Sequence, residues 1–319
     1  MTKLSPHVDS KLSNDVIVKL QDKHISTIIQ FINEDSEKLA RFTGLSIKDI
    51  YEIKTNIYIK FGGRIKSASD VYEIEQNYIV PTNISSLDNL LKGGLHPGQI
   101  YEFCGVPASG KTQLCLTIAA NTALEPRNLV RYIDTKRDFS ASRIEQILLN
   151  KNCDEQIINE TMERIRISCI HDWQRLTEVL EYLVFNLKEE RKTGYRTRII
   201  IVDSLPAIIF HLSRDHKATT ISLNKFANIC HFIAREFCLS FVTVNLITQW
   251  NNTAIPKSSK DCNEVFPNLG KYWARVPNTR LLIEKKGLAG RRLSIWNSSQ
   301  LEANLSCNFV ISSNGVSCS

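Results

Sequence analysis

No Cys-x-x-Cys pair occurs among the nine cysteines, which are odd in number and scattered along the 319 residues. That pattern argues against a disulfide framework or a zinc ribbon and suits reduced thiols used as small core side chains. No apolar run reaches the length of a membrane span. The longest, Ile199 to Phe210, is interrupted by Asp203. Met1 to Ser13 is polar, so neither a secretory signal nor a membrane partner is expected. Internal repeats and low-complexity tracts are missing as well. The remaining composition, 43% hydrophobic and 23% charged, is ordinary for a protein with a sizeable core. At roughly 150 residues per domain the length predicts about two domains.

Excess charge of either sign is missing from the first quarter of the chain. Residues 1–80 hold 11 Lys/Arg and 11 Asp/Glu, so all of the net charge of +7 falls on the remainder. Apolar residues recur there at helical spacing, as in Val16 and Leu20, then Ile25, Ile28, Ile29 and Ile32, then Leu39 and Phe42. Gly44 breaks the pattern, and Ser46 with Asp49 forms a capping-box variant that opens a helix through Ile50 and Ile53. A small all-helical domain over residues 1–66 follows. The Leu39–Gly44–Ile50 piece fits a helix-hairpin-helix, and the neutral charge fits a protein-docking bundle equally well. Residues 67–82 read as a linker with one short strand or helical turn. Residues 83–319 form the larger domain.

That domain centres on Gly105-Val106-Pro107-Ala108-Ser109-Gly110-Lys111-Thr112. The stretch follows an apolar strand-like run and opens a helix-like one, the context that the pattern G-x-x-x-x-G-K-[ST] requires. Glycines at 105 and 110 let the backbone wrap a phosphate chain and aim N–H groups inward, and the following helix adds its positive end. Lys111 is placed to reach the β- and γ-phosphates, and Thr112 to bring its hydroxyl to Mg²⁺. The ATP-binding candidates run from Gly105 through Gln113. Downstream, strand-like and helix-like segments alternate, which predicts a parallel sheet covered on both faces. Ile199-Ile200-Ile201-Val202 ends in Asp203, an acid delivered at the C-terminal end of a buried strand. Asp203 is therefore the candidate to hold the magnesium shell opposite Thr112.

Taken together, Ile84–Leu95, Tyr101–Leu116, Tyr132–Arg143, Ile199–Leu205, Phe241–Asn245 and Leu269–Leu282 resemble the RecA/RadA recombinase superfamily. Within it the chain is most similar to the D-type branch of the eukaryotic recombinase paralogues, over nearly its whole length. The resemblance implies an α/β fold: a RecA-like P-loop ATPase core, with a twisted mostly parallel sheet and helices on both faces, preceded by a small helical domain. It implies ATP and Mg²⁺ as cofactors, with Arg143 stacking on adenine, although Arg143 also reads as a plain surface arginine. Two segments match the DNA-facing loops of filament-forming relatives, 210–220 and 248–268. Their candidates for single-stranded DNA are Arg214 and Lys217 in the first and Trp250, Lys257 and Lys260 in the second. Asp215, Asp261 and Glu264 dilute both loops, so solvated surface loops are the alternative.

The pattern departs from the active recombinases at three places. Lys136 stands where they carry a water-orienting glutamate. Leu246 follows Asn245 where they carry a glutamine that senses the γ-phosphate. Their Phe-x-x-Ala hook has only Ile65-x-x-Ala68 as a counterpart. The resemblance thus implies a nuclear ATP-binding paralogue, at most a slow DNA-dependent ATPase. Its role would lie in homologous-recombination repair of DNA double-strand breaks, in a heteromeric complex with other recombinase paralogues that assists the main recombinase. A nucleotide-stapled scaffold without its own DNA contact and a meiotic strand-exchange enzyme are the alternatives.

Overall fold

In the computed structural model, residues 3–63, 66–209, 216–249, 265–287 and 290–318 are described. The chain divides into two compact units, Met1–Val71 and Tyr72–Ser319.

The first unit holds four helices, α1 (Asn14–Gln21), α2 (Ile28–Asn33), α3 (Ser36–Thr43) and α4 (Ile47–Phe61). Each begins behind a residue whose side chain caps the free backbone N–H groups: Ser13, Thr27, Asp35 and Ser46. The Ser46 hydroxyl accepts from the Asp49 amide at 3.1 Å and donates to the Asp49 carboxylate at 2.5 Å, the variant box expected from the sequence. Gly44 ends α3 at a φ of 80°, a conformation that favours glycine. Leu12, Leu20, Phe31, Leu39, Ile50, Ile53 and Ile57 are buried at the centre of the unit.

Across the boundary runs α5 (Ala68–Asn77), a ten-residue helix with no buried side chain where a linker was expected. Val80 pairs with Leu95 in a short bridge, and Val80 and Ile84 pack into the core of the second unit. A short helix α6 (Ser85–Leu90) follows.

The second unit is a nine-stranded sheet. In chain order its elements are β1 (Ile100–Cys104), α7 (Lys111–Leu124), β2 (Asn128–Asp134), α8 (Ala141–Leu149), α9 (Glu155–Glu163), β3 (Ile165–Cys169), α10 (Trp173–Thr193) and β4 (Arg196–Asp203). Next come α11 (Leu205–Ile209), α12 (His216–Glu236), β5 (Ser240–Asn245), β6 (Ile247–Gln249), β7 (Val265–Pro267), α13 (Gly270–Trp273), β8 (Thr279–Lys286), β9 (Gly290–Ser298), β10 (Ser306–Ser312) and β11 (Gly315–Cys318). The order across the sheet is β11-β10-β9-β8-β1-β5-β4-β2-β3. Strands β3 to β8 in that order run parallel, and β9, β10 and β11 add antiparallel at one side.

β4 shows why its apolar run predicts burial on both faces. Ile199 and Ile201 enter the core under α7 and α8, whereas Ile200 and Val202 enter the core under α10 and α12. Side chains alternate along a strand, so only a doubly covered one keeps four consecutive aliphatic residues dry. Helix α9, behind its Asp154 cap, has little sequence signal, because its only buried side chains are Ile158 and Thr161. Among the described residues no helix is long and apolar enough to cross a membrane.

Candidate functional site

The glycine-bearing loop leaves the C-terminal end of β1 and opens α7. A Cβ on Gly105 would lie 2.6 Å from the Ile283 carbonyl oxygen, and one on Gly110 would lie 2.6 Å from the Ile311 side chain. Gly110 also holds a φ of 105°. The backbone of β8 thus leaves no room for a side chain at residue 105, and the backbone conformation favours glycine at residue 110. Lys111 is buried, and its ammonium donates to the Gly105 carbonyl at 2.9 Å, the Val106 carbonyl at 2.7 Å and the Ser109 hydroxyl at 3.3 Å. Burial, followed by the charge of Lys136, lowers the Lys111 pKa to about 8.

Asp203 ends β4 and faces this loop across β5. It is fully buried, and its Oδ2 accepts from the Thr112 hydroxyl at 2.6 Å and the Tyr132 hydroxyl at 3.0 Å. Its Oδ1 accepts no hydrogen bond. The Lys136 ammonium lies 3.4 Å from that oxygen and 2.7 Å from Asp138 Oδ2. Burial penalises the Lys136 charge, but Asp203 and Asp138 outweigh it, and the net shift of its pKa is upward.

The turn that presents Lys136 is built on Asp134, a residue with no place in the motif reading. Its carboxylate accepts from the backbone amides of Lys136 at 3.0 Å, Asp138 at 3.2 Å and Phe139 at 2.9 Å. Thr135 ties the turn to β4: its hydroxyl donates to the Ser204 carbonyl at 2.8 Å and accepts from the Ser204 amide at 2.7 Å. Asp134 and Asp203 are register partners in adjacent parallel strands, so both acids emerge at one sheet edge.

Pro107 to Gln113, Lys136 and Asp138 line a cleft of about 610 Å³, shared with Leu246 just after β5, Ile311 from β10 and Arg291 from β9. Sequence reasoning missed Arg291. It lies far along the chain in an antiparallel strand, and its only signal was a basic pair after Gly290. Its Nε donates to the Ser109 carbonyl at 3.1 Å, which fixes a cation on the loop. Arg143 sits on α8 beside the first turn of α7, donating to Gln113 Oε1 at 2.9 Å, Gln146 Oε1 at 2.5 Å and the Ser313 carbonyl at 3.0 Å, and also to the Ser312 carbonyl. These bonds lie in the guanidinium plane, while stacking on a base would use its face.

The donor set fits a magnesium-bound triphosphate. The loop amides and Lys111 suit phosphate oxygens. Mg²⁺ takes one or two carboxylates plus phosphate oxygens and water, and the free Oδ1 of Asp203 beside the Thr112 hydroxyl is such a corner. The same oxygen is where Lys136 stands.

A second buried network leads away from the cleft. Glu102 on β1 is fully buried and accepts from Asn245 Nδ2 at 2.8 Å and Trp273 Nε1 at 2.5 Å, and it pairs with Arg280 of β8. Asn245 Nδ2 also donates to the Asn268 carbonyl at 3.0 Å. Asn245 and Asn268 flank the β6–β7 ribbon, whose strands pair antiparallel from Ile247–Pro267 to Gln249–Val265. The expected second DNA loop thus starts and ends in a paired ribbon rooted beside β1.

Of the DNA candidates, Lys217 lies exposed in the first turn of α12. The first loop is therefore helical from His216 onward, where the sequence suggested loop to residue 220. Arg214, Trp250, Lys257 and Lys260 lie outside the described residues.

Comparison with known proteins gives two family matches: Rad51 over residues 75–319, and the N-terminal domain of RAD51D over residues 1–56. DNA repair protein RAD51 homolog 4 of Bos taurus is 29% identical over 289 residues, covering 89% of this chain and 86% of its own. DNA repair protein RAD51 homolog 2 of Mus musculus is 25% identical over 350 residues, covering 98% and 95%. DNA repair and recombination protein RadB of Methanobrevibacter smithii is 42% identical over 205 residues, covering 63% and 80%.

Proposed function

Because the chain belongs to the Rad51 family and is a paralogue of DNA repair and recombination, we propose that it binds Mg–ATP and works inside a heteromeric complex of recombinase paralogues. In that complex it contacts single-stranded DNA and assists the main recombinase in homologous-recombination repair of double-strand breaks in the nucleus. The observation that carries this reading is the 2.6 Å bond between Thr112 and the buried Asp203, which brings both motif residues to one corner of the cleft.

When bound, Mg²⁺ neutralises charge on the β- and γ-phosphates. The chain's own groups do the rest. Gly105 to Gly110 direct amides at the phosphates, Lys111 exchanges loop carbonyls for phosphate oxygens, and Thr112 with Asp203 orients the metal's shell. Gln113 and Arg143 frame the base end. The β6–β7 ribbon supports a DNA contact by Trp250, Lys257 and Lys260, with Arg214 and Lys217 supplying the first loop. Residues 1–66 act as a docking module, consistent with their neutral charge.

The test is binding of the purified chain to short single-stranded DNA, with and without Mg–ATP, across a salt series. Changing Lys257 and Lys260 to Ala is expected to weaken binding and reduce the salt slope by about 0.7 for each phosphate that is no longer neutralised. Unchanged affinity and slope would favour a nucleotide-stapled scaffold with no DNA contact of its own.

A further inference from the structure

We infer that the N-terminal ends of β4 and β5 carry a pocket for one acidic side chain of a partner polypeptide, separate from the nucleotide cleft. A cavity of about 230 Å³ opens there, lined chiefly by Tyr78, Leu187, Arg191, Arg196, Arg198 and Phe237. Arg196 begins β4 and Asp203 ends it. Seven residues of strand, at about 3.3 Å each, set the pocket roughly 23 Å from the acid of the cleft.

Two guanidinium groups dominate the pocket. Arg196 and Arg198 both lie over the Tyr78 ring, at 5.6 and 5.1 Å from its centroid. Arg196 donates to the Tyr78 hydroxyl, and Arg198 Nη2 donates to the Ile79 carbonyl at 3.2 Å. Neighbouring cations have acids of their own: Arg131 pairs with Glu190, and Arg191 lies 3.6 Å from Glu236. Among the described residues neither Arg196 nor Arg198 has a carboxylate partner. Nε of Arg198 is buried without any hydrogen-bond partner.

Two like charges side by side, one carrying an unsatisfied buried donor, make a costly arrangement. Burial first, and the Arg196 charge behind it, lower the Arg198 pKa. An oxyanion seated against the two guanidiniums would offset both charges, by the charge-assisted bonding that arginine forms with carboxylates.

Size and surroundings decide which anion. The cavity is smaller than the 300 Å³ or more typical of small-molecule sites, so it takes one side chain rather than a cofactor. Leu187 and Phe237 offer apolar walls to an aliphatic stem. Glu190 lines the same cavity paired with Arg131, and Glu236 pairs with Arg191, so the two remaining arginines suit one charge rather than the several phosphates that a polyanion needs neutralised together. An acidic residue on a polypeptide meets every one of these conditions. The inference rests on the heteromeric reading above only for the existence of a partner.

The test uses the full chain labelled with ¹⁵N at arginine, following the Arg198 Nε–Hε resonance. The probes are the capped tripeptide acetyl-Ala-Glu-Ala-amide, its glutamine counterpart and a thymidine oligonucleotide. A saturable shift with the glutamate peptide, at the millimolar strength expected of one contact, and none with the glutamine peptide, is the expected result. Arg196→Gln should weaken that binding about tenfold while the Arg198 resonance stays observable, and Arg196→Lys should give a smaller loss. Equal response to both peptides, no response to either, unchanged affinity in Arg196→Gln, or a response to the oligonucleotide alone would overturn the inference. Mg–ATP binding read on the same samples reports separately on the nucleotide cleft.

Discussion

The ammonium of Lys136 lies 3.4 Å from the one oxygen of Asp203 that accepts no hydrogen bond. Asp138 holds the same ammonium at 2.7 Å, so a fixed cation stands where a divalent ion draws on the carboxylate. Two cations that draw on one carboxylate oppose each other, so the lysine charge competes with the metal. Nucleotide binding is therefore expected to need more Mg²⁺ than in a site without the lysine. Lys136→Ala should lower the Mg²⁺ midpoint for ATP binding by on the order of tenfold. A titration of fluorescent ATP against Mg²⁺ reads this directly, and coincident midpoints would contradict it.

Lys111 and Thr112 are expected to govern the gain in stability that the nucleotide brings. Saturating Mg–ATP at 100 Kd should stabilise the wild type by about 2.7 kcal/mol, visible as a raised Tm. Lys111→Ala and Thr112→Ala should lose that rise, each compared with its own melt without ligand. A wild-type melt that ignores Mg–ATP would mean that the cleft holds no nucleotide.

The pH dependence of binding follows from Lys111. In the free protein its pKa is lowered to about 8, burial being the main cause. Phosphate charge favours the protonated form and raises that pKa in the complex. Below pH 8 the lysine already carries its proton, and affinity should be nearly flat. Above pH 8 binding takes up a proton, so affinity should fall by up to about tenfold per pH unit. Lys111→Ala should bind weakly and show no such fall. Isothermal titration from pH 7 to 9 in buffers of different ionisation enthalpy would count the proton.

Much of this site was legible from consecutive residues. The loop from Gly105 to Thr112 and the run ending at Asp203 carry local signals, a fixed spacing and an all-apolar strand. Their meeting at 2.6 Å follows once the sheet is parallel. Arg291 and Ile311 were not legible, because they arrive from antiparallel strands whose register with the loop no local pattern encodes. Asp134 was hidden for another reason. It reads as an ordinary strand-end acid, and only the three amides folded over it show that it shapes the turn bearing Lys136. Helix α5 escaped notice because it buries nothing, and its few apolar residues, Val71, Tyr72 and Ile74, stand among polar ones.

Glu102 and Arg280 make the buried pair that joins β1 to β8 and, through Asn245, to the root of the β6–β7 ribbon. Removing one partner leaves the other charge buried and uncompensated. Glu102→Gln is expected to cost about 3–5 kcal/mol in stability, and the double change Glu102→Gln with Arg280→Met should recover part of it. Denaturant unfolding of the second unit measures both, and additive losses in the double variant would show that the pair is not coupled.

Hydrolysis should be slow, and the turn after β2 explains why. Orienting the attacking water needs an acceptor near the γ-phosphate, and positioned general-base assistance contributes on the order of 10²–10⁴ in rate. Lys136 has three donors and no acceptor in its charged form, and its pKa is shifted upward, so it keeps that charge. Asp138 is an acceptor in the same cleft, but its Oδ2 is engaged by Lys136. Leu246 adds an apolar side chain where a polar one could have completed the site. The isolated chain should therefore bind ATP and turn it over slowly, with useful hydrolysis requiring a group from a neighbouring subunit. Single-turnover measurements on wild type, Asp138→Asn and Lys136→Glu separate the possibilities. Wild type and Asp138→Asn should be equally slow. Lys136→Glu, which restores an acceptor on a turn already fixed by Asp134, should be faster by up to about 10². Brisk wild-type turnover that survives Asp138→Asn would mean that another group positions the water and that Lys136 does not limit the reaction.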